Sequence, residues 1–353
     1  MPNRSSLMNP LKPYFLVIAL LFTFLFPSVV RAEEGTLKFY VTPEFPESQV
    51  DGVTNYFSLQ GEPNSTHTLR LKIQNAGDEE KTVQVTAHTA FTNVMGVVEY
   101  GKDALNPDPT LTHPLAELID LPEPIVLAGK ETKTIEFDLH MPEEAFEGYL
   151  AGGLRIEEVL PEEEIEPSEE EGVAIQNEFA YVVAVLASNE RASLKPDLEL
   201  LDVFADQLNY RNVISANLQN FRPAFANQLA VEATVQKVGE EEILYEEKKE
   251  MMQMAPNSNF HFPISLEGDR FRSGEYVLKM KASSGSEEWE WERTFTIEAD
   301  EARALNRADV TIDTGINWWI VAGVSLIVLL LMIIVWLLLK KKKSERADSV
   351  NEN

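Results

Sequence analysis

The chain contains no cysteine, which excludes a disulfide framework, a thiol nucleophile, iron–sulfur ligation and every zinc site built on thiolates. Basic residues are few: 30 Lys and Arg stand against 58 Asp and Glu, a formal net charge of −28. Binding to a phosphate backbone draws on clustered cations that release counterions, so nucleic acid is a poor partner for this chain. Histidine is scarce as well. His67, His88, His113, His140 and His261 stand singly, without His-Glu-x-x-His spacing, and suggest no metal site. No Gly-x-Ser-x-Gly elbow, P-loop or Gly-x-Gly-x-x-Gly turn occurs, so serine hydrolysis and nucleotide chemistry carry no signal. The expectation is a protein without catalytic residues, cofactor or metal. Paired carboxylates that cleave glycosidic bonds are the remaining enzymatic alternative, and no pair stands out among so many acids.

What the sequence does contain is 353 residues with 44% hydrophobic content, enough for two domains of ordinary size. Arg4 and Lys12 precede an apolar run from Tyr14 to Phe26, then Pro27 and Val30-Arg31-Ala32. This is the three-part layout of a secretory signal peptide, 1–32, cleaved after Ala32. Near the other end, Trp318 to Leu339 holds no charge, and at about 1.5 Å per residue it reaches about 33 Å, the length of a transmembrane helix. Trp318 and Trp319 would anchor its outer end, and Lys340, Lys341, Lys342 and Lys343 would hold the tail, 340–353, in the cytoplasm. With no Cys for lipid attachment and no Leu-Pro-x-Thr-Gly sorting motif, this helix would be the only tether, giving a single-pass protein of the cell membrane with its N-terminal part outside. A cysteine-free exported protein fits a bacterial surface better than an animal one.

Removing the flanks sharpens the charge. Of the basic residues, Arg4, Lys12, Arg31, Lys340 to Lys343 and Arg346 lie outside 33–317, leaving 22; the acids lose only Glu345, Asp348 and Glu352, leaving 55. That region therefore carries a net −33 and repels other anionic surfaces.

Within it, period-two alternation dominates. Leu69, Leu71 and Ile73 alternate with polar residues, then Asn75-Ala76-Gly77-Asp78 leads into Val83, Val85 and Ala87, which reads as a β-hairpin. The same period recurs at Ile135, Phe137, Leu139 and Met141, at Leu229, Val231, Ala233 and Val235, and at Tyr276, Leu278, Met280 and Ala282. Short half-buried strands without a sustained helical pattern indicate an all-β chain of two immunoglobulin-like antiparallel β-sandwich domains followed by the one C-terminal transmembrane helix. A polar break from Ser188 to Asp197 separates a first domain, 33–189, from a second, 190–300; 301–317 would be a juxtamembrane stalk or a short helix. Residues 157–171 contain nine Glu with Pro161 and Pro167 but no Asp or Asn. They fit a solvated hairpin tip better than a calcium loop.

Several residues suggest binding surfaces. Trp289 and Trp291 would share one side of a strand, where indoles stack on sugars or fill the core. Met251, Met252 and Met254, before Ala255-Pro256-Asn257-Ser258, are adaptable contact residues or lie buried behind the following strand, Phe260, Phe262 and Ile264. Thr92-Asn93 with Gly96 and Tyr100 reads as a turn followed by a strand. Thr92, Asn93, Tyr100, Met252, Met254, Asn257, Trp289 and Trp291 are the candidate contact residues.

The strings Phe39-Tyr40-Val41-Thr42-Pro43, Pro46 and Gln49, Tyr56-Phe57-x-Leu59, Thr92-Asn93-x-x-Gly96 with Glu99-Tyr100, Met141-Pro142, Phe146-Glu147-Gly148 and Gly152-Gly153 follow one another through the first half. Asn217-Leu218-Gln219-Asn220, the segment Met252 to Phe260, Gly274-x-Tyr276, and Trp289 with Trp291 follow in the second. In order and spacing, over nearly the whole chain, they resemble the membrane-anchored WxL-interacting proteins of Gram-positive bacteria. The resemblance implies an immunoglobulin-like first domain that binds peptidoglycan. It also implies a second such domain that engages host extracellular proteins and surface proteins bearing WxL domains, so that the chain is a surface scaffold. An exported chaperone that lends a sandwich edge to client proteins is the alternative.

Overall fold

Leu69, Leu71 and Ile73 are each fully buried in strand β3 (Thr66–Asn75), while Arg70 and Lys72 between them face solvent. This is the pleat that period-two alternation dictates. The computed structural model describes residues 39–159, 179–190, 194–312 and 318–348. The signal-peptide segment, most of the Glu-rich stretch and residues 313–317 lie outside the described residues.

The first module packs two sheets face to face. One has the order β1 (Phe39–Glu44), β3, β9 (Thr132–His140), β7 (Ile119–Asp120). The other runs β2 (Phe57–Gln60), β11 (Ala180–Ser188), β10 (Leu150–Glu158), β4 (Lys81–Thr89), β8 (Ile125–Leu127). Phe39, Phe57, Leu71, Leu139, Leu154 and Val185 fill the space between them. Strand β11 returns antiparallel to β10 and runs parallel to β2.

The hairpin expected around Asn75-Ala76-Gly77-Asp78 is not formed. β3 pairs with β1 and β9, whereas β4 pairs with β10 and β8, so the turn hands the chain from one sheet to the other. The cause is Asn75. Its buried amide donates to the carbonyls of Glu79, Leu127 and Ala128, and its Oδ1 accepts from Gly77 N–H. The corner is thereby tied to the β8–β9 connection instead of closing on itself.

The second module repeats the plan with β12 (Leu198–Leu208), β13 (Arg211–Asn220), β16 (Ser258–Ser265) against β15 (Ile243–Met254), β14 (Ala226–Lys237), β17 (Gly274–Ser284), β18 (Glu287–Ile297). Leu218, Val231, Met254, Phe262, Leu278 and Met280 lie in its core. Helix α1 (Ala299–Ala308) opens with a capping box formed by Glu298 and Glu301. It closes one end of this module, with Ala302 buried and Leu305 packed on the same core. Asn306 donates to the Phe271 carbonyl, and its Oδ1 accepts from Phe271 N–H and from the Asn212 amide.

The all-β sandwich architecture is present, but the transmembrane helix that completed the expected fold is corrected. Trp318 to Leu339 lies in helix α2 (Trp318–Asp348), yet among the described residues no helix is long and apolar enough to cross a membrane. Single-pass anchoring through this helix is corrected with it.

Candidate functional site at the joint between the modules

The two sandwiches meet through a polar, mostly buried joint, and its parts come from the strings that look unrelated along the chain. On the first module a ribbon of β5 (Phe91–Thr92) and β6 (Val98–Glu99) carries a tight turn. Asn93 Oδ1 accepts from the N–H groups of Met95 and Val97, and its amide donates to Glu99 at 2.6 Å. Gly96 adopts φ +72° and lies against Met252, so close that a Cβ there would overlap the methionine side chain. Its carbonyl accepts from Gln253 N–H at 2.9 Å. Only glycine meets both demands.

Beside this turn, Thr92 is buried against Ser258. The Ser258 hydroxyl has a single proton, directed at the Ala255 carbonyl 2.8 Å away. Thr92 Oγ1 is therefore the donor to Ser258 Oγ, at 2.7 Å, and the acceptor from Ala255 N–H. Asn220, fully buried at the end of β13, donates to the carbonyls of Ala224 and Ala255. Asn257, at φ +47°, donates to the Phe221 carbonyl and to Thr110 of the first module.

Asp108 is the electrostatic centre of the joint. Its carboxylate is 5% exposed and accepts from Gln219 at 3.0 and 2.9 Å, from Asn259 at 2.5 Å, and from the backbone and hydroxyl of Thr110. Burial by itself would push this carboxyl up. The bonds from Thr110, Asn259 and Gln219 outweigh burial and hold it below its ordinary value. A cavity of about 270 Å³ lined by Asp108, Phe91, Pro107 and Asn259, among others, opens beside it.

On the other side of the joint, Gly148 adopts φ +74° and packs directly on the Pro223 carbonyl, which accepts from Tyr149 N–H at 2.8 Å. Tyr149 and Phe225 face each other with ring centroids 6.1 Å apart. Ala90, Val98, Ala151 and Ala255 form a small buried apolar cluster, with Tyr100, Leu186 and Phe225 packed around it. Tyr100 owes its place to Gly153, where a Cβ would meet the Tyr100 backbone and side chain at 2.6–3.3 Å. Burial first, and the neighbouring Tyr56 second, push the Tyr100 hydroxyl up to about 12, so it remains a hydrogen-bond donor.

Of the candidate contact residues, Thr92, Asn93, Met252, Met254, Asn257 and Tyr100 are thus gathered around the joint. Thr92, Met252 and Met254 are buried there or in the second core. Met251, at φ +60°, points out and is 75% exposed. Trp289 and Trp291 lie apart, on β18, half-buried against the second core; Trp289 Nε1 donates to Asp197. Residues that the local patterns missed are Asp108, Gln219, Tyr149 and Phe225. Of these, only Gln219 lies in a string singled out along the chain, Asn217-Leu218-Gln219-Asn220. Among the described residues there is no group of three or more His, Asp or Glu able to hold a metal ion.

Residues 39–158 match the model of the WxL Interacting Protein peptidoglycan binding domain, and residues 170–307 match that of the WxL Interacting Protein host binding domain. The chain belongs to the WxL-interacting protein family. The matched domains are binding domains, which supports a cell-surface role for this family member. The second match starts upstream of β11, yet β11 pairs with β10 and β2 and contributes Val183, Val185 and Ala187 to the first core. No curated protein is matched. Similar solved structures include the E. coli chaperone DraB, at 12% identity and a TM-score of 0.27, covering 74% of this chain and 98% of that one. The CsuC–CsuE chaperone–tip subunit complex of Acinetobacter baumannii is similar at 13% identity and a TM-score of 0.29, covering 72% and 98%.

Proposed function

We propose that this WxL-interacting protein is a non-catalytic surface scaffold whose first module grips peptidoglycan while its second holds WxL-type surface proteins or host proteins. The observation that supports this reading is the joint. Asp108, Thr92 and Gly96 of the first module are bonded to Gln219, Asn259, Ser258 and Gln253 of the second. Two binding modules connected by buried, geometrically specific bonds keep one relative orientation, and a rigid linkage raises the effective concentration of the second partner once the first is engaged.

The test is co-sedimentation. The full chain is mixed with insoluble peptidoglycan and a folded WxL-domain protein. The scaffold reading expects the WxL protein to sediment only when the chain is present. If the WxL protein displaces the chain from the wall, or if soluble fragments are released from the peptidoglycan, the reading is wrong.

A further inference from the structure

A cleft of about 610 Å³ opens where the two modules face each other, walled on one side by Tyr56, Tyr100 and Tyr149 and on the other by Phe225, Asn227 and Gln253. None of its lining residues carries a charge. In a chain with 58 acidic and 30 basic residues this is an unusual stretch of surface, because it neither attracts a cation nor draws in an anion.

Its chemistry is that of rings and amides. The four aromatic residues are half-buried. Among the described residues, the hydroxyls of Tyr56, Tyr100 and Tyr149 make no hydrogen bond. Gln253 donates to Asn227 Oδ1 at 2.6 Å, which orients the pair and leaves Gln253 Oε1 and the Asn227 amide hydrogens for another partner. A site of aromatic faces, phenolic hydroxyls and carboxamides without charge matches a sugar ring, which offers C–H groups on its faces and hydroxyl or acetamido groups on its rim. A peptide strand would use backbone ladders instead, and an anionic polymer would need a cation.

We propose that this cleft binds a neutral N-acetylated sugar ring of a glycan strand and that both modules contribute to it. The proposal deepens the peptidoglycan-binding reading and rests on it. The tyrosines belong to the matched peptidoglycan-binding region, but Phe225, Asn227 and Gln253 lie within the region matched as host-binding. Gly148 and Gly153 fix the cleft, the first by letting Tyr149 meet the Pro223 carbonyl and the second by letting Tyr100 pack on β10. A glycan held here touches both sandwiches at once, so wall binding and the joint are coupled.

The experiment uses the full chain and the variants Phe225→Ala and Tyr56→Ala. Binding of the soluble N-acetylglucosamine tetramer is measured by calorimetric titration, and retention is measured on insoluble peptidoglycan, with the melting profile of each variant as a check on folding. Each variant is expected to lose about tenfold in tetramer affinity and to lose retention in parallel. Tyr56 lies outside the buried core, so its variant remains informative if Phe225→Ala unfolds. Retention of the native chain with both variants unchanged would overturn the cleft while leaving the peptidoglycan reading intact. A native chain that binds the tetramer through these residues but is not retained on peptidoglycan would support the cleft and overturn that reading. No tetramer binding by the native chain overturns the cleft.

Discussion

The side-chain amide of Gln219 reaches both oxygens of Asp108, at 3.0 and 2.9 Å, across the boundary between two sandwiches. No cation is among the bonded partners of this buried carboxylate; amides and a hydroxyl satisfy it. Replacing Asp108 by Asn puts an amide donor where two other amide donors point. Leaving a buried donor without an acceptor costs about 1–3 kcal/mol. Asp108→Asn is expected to split the thermal unfolding of the protein into two transitions, one per module, in differential scanning calorimetry. A single transition at an unchanged midpoint would mean that the carboxylate does not couple the modules.

The same carboxylate sets a pH window. Its folded value lies below the ordinary 3.8, so it stabilises the joint fully above that value, and the contribution disappears as the pH falls through the lower folded value. The stability difference between the native chain and Asp108→Asn is therefore expected to be constant from about pH 5 to pH 8. It should shrink only in stronger acid. Chemical denaturation at a series of pH values measures this directly, and a difference that changed around neutrality would point to another group.

Gly96 offers a separate test of the joint. Alanine there meets a left-handed backbone, which costs about 1–2 kcal/mol by itself, and its Cβ overlaps Met252. Gly96→Ala should lower the melting temperature, and Met252→Ala should relieve part of the overlap. The double variant is then expected to lose less than the two single losses added together, which a thermodynamic cycle reads out. Strict additivity would show that the turn and the methionine are not in contact in solution.

These residues explain what could and could not be read along the chain. Alternation at Leu69, Leu71 and Ile73, and again at Leu229 to Val235, reports which face of a strand is buried, because that is a local property. It does not report which strand lies alongside. The turn after Asn75 looks like a hairpin until its buried amide is seen bonded to Leu127 and Ala128, about fifty residues away. Strand β11 likewise joins β2 from 129 positions away, as the bond from Ser188 Oγ to the Leu59 carbonyl shows. The joint is harder still. Thr92 and Gly96 read as part of a turn in one module and Gln219 and Asn257 as members of short strings in the other, and only the folded chain shows that they face one another. The uncharged cleft could not be seen for the same reason, since its tyrosines and Phe225 come from distant segments.

The distribution of charge leads to a prediction about the wall itself. Residues 33–317 carry a large acidic excess, which repels any anionic polymer of a cell wall. General electrostatics therefore oppose approach, and whatever holds the chain must act at short range. The cleft has no charged lining to be screened. Added salt screens forces between exposed charges more than about 10 Å apart at 0.1 M and leaves ring stacking and hydrogen bonds nearly unchanged. Retention on purified peptidoglycan is therefore expected to stay constant, or to rise slightly as repulsion is screened, between low and moderate salt. Acidity can act differently toward a basic protein partner, for which the association rate should fall over the same range. Stopped-flow association of the partner and sedimentation of the wall, measured in the same buffers, separate the two. If wall retention collapsed with salt, a cluster of Lys or Arg elsewhere on the first module would have to be the grip, and the neutral cleft would not be.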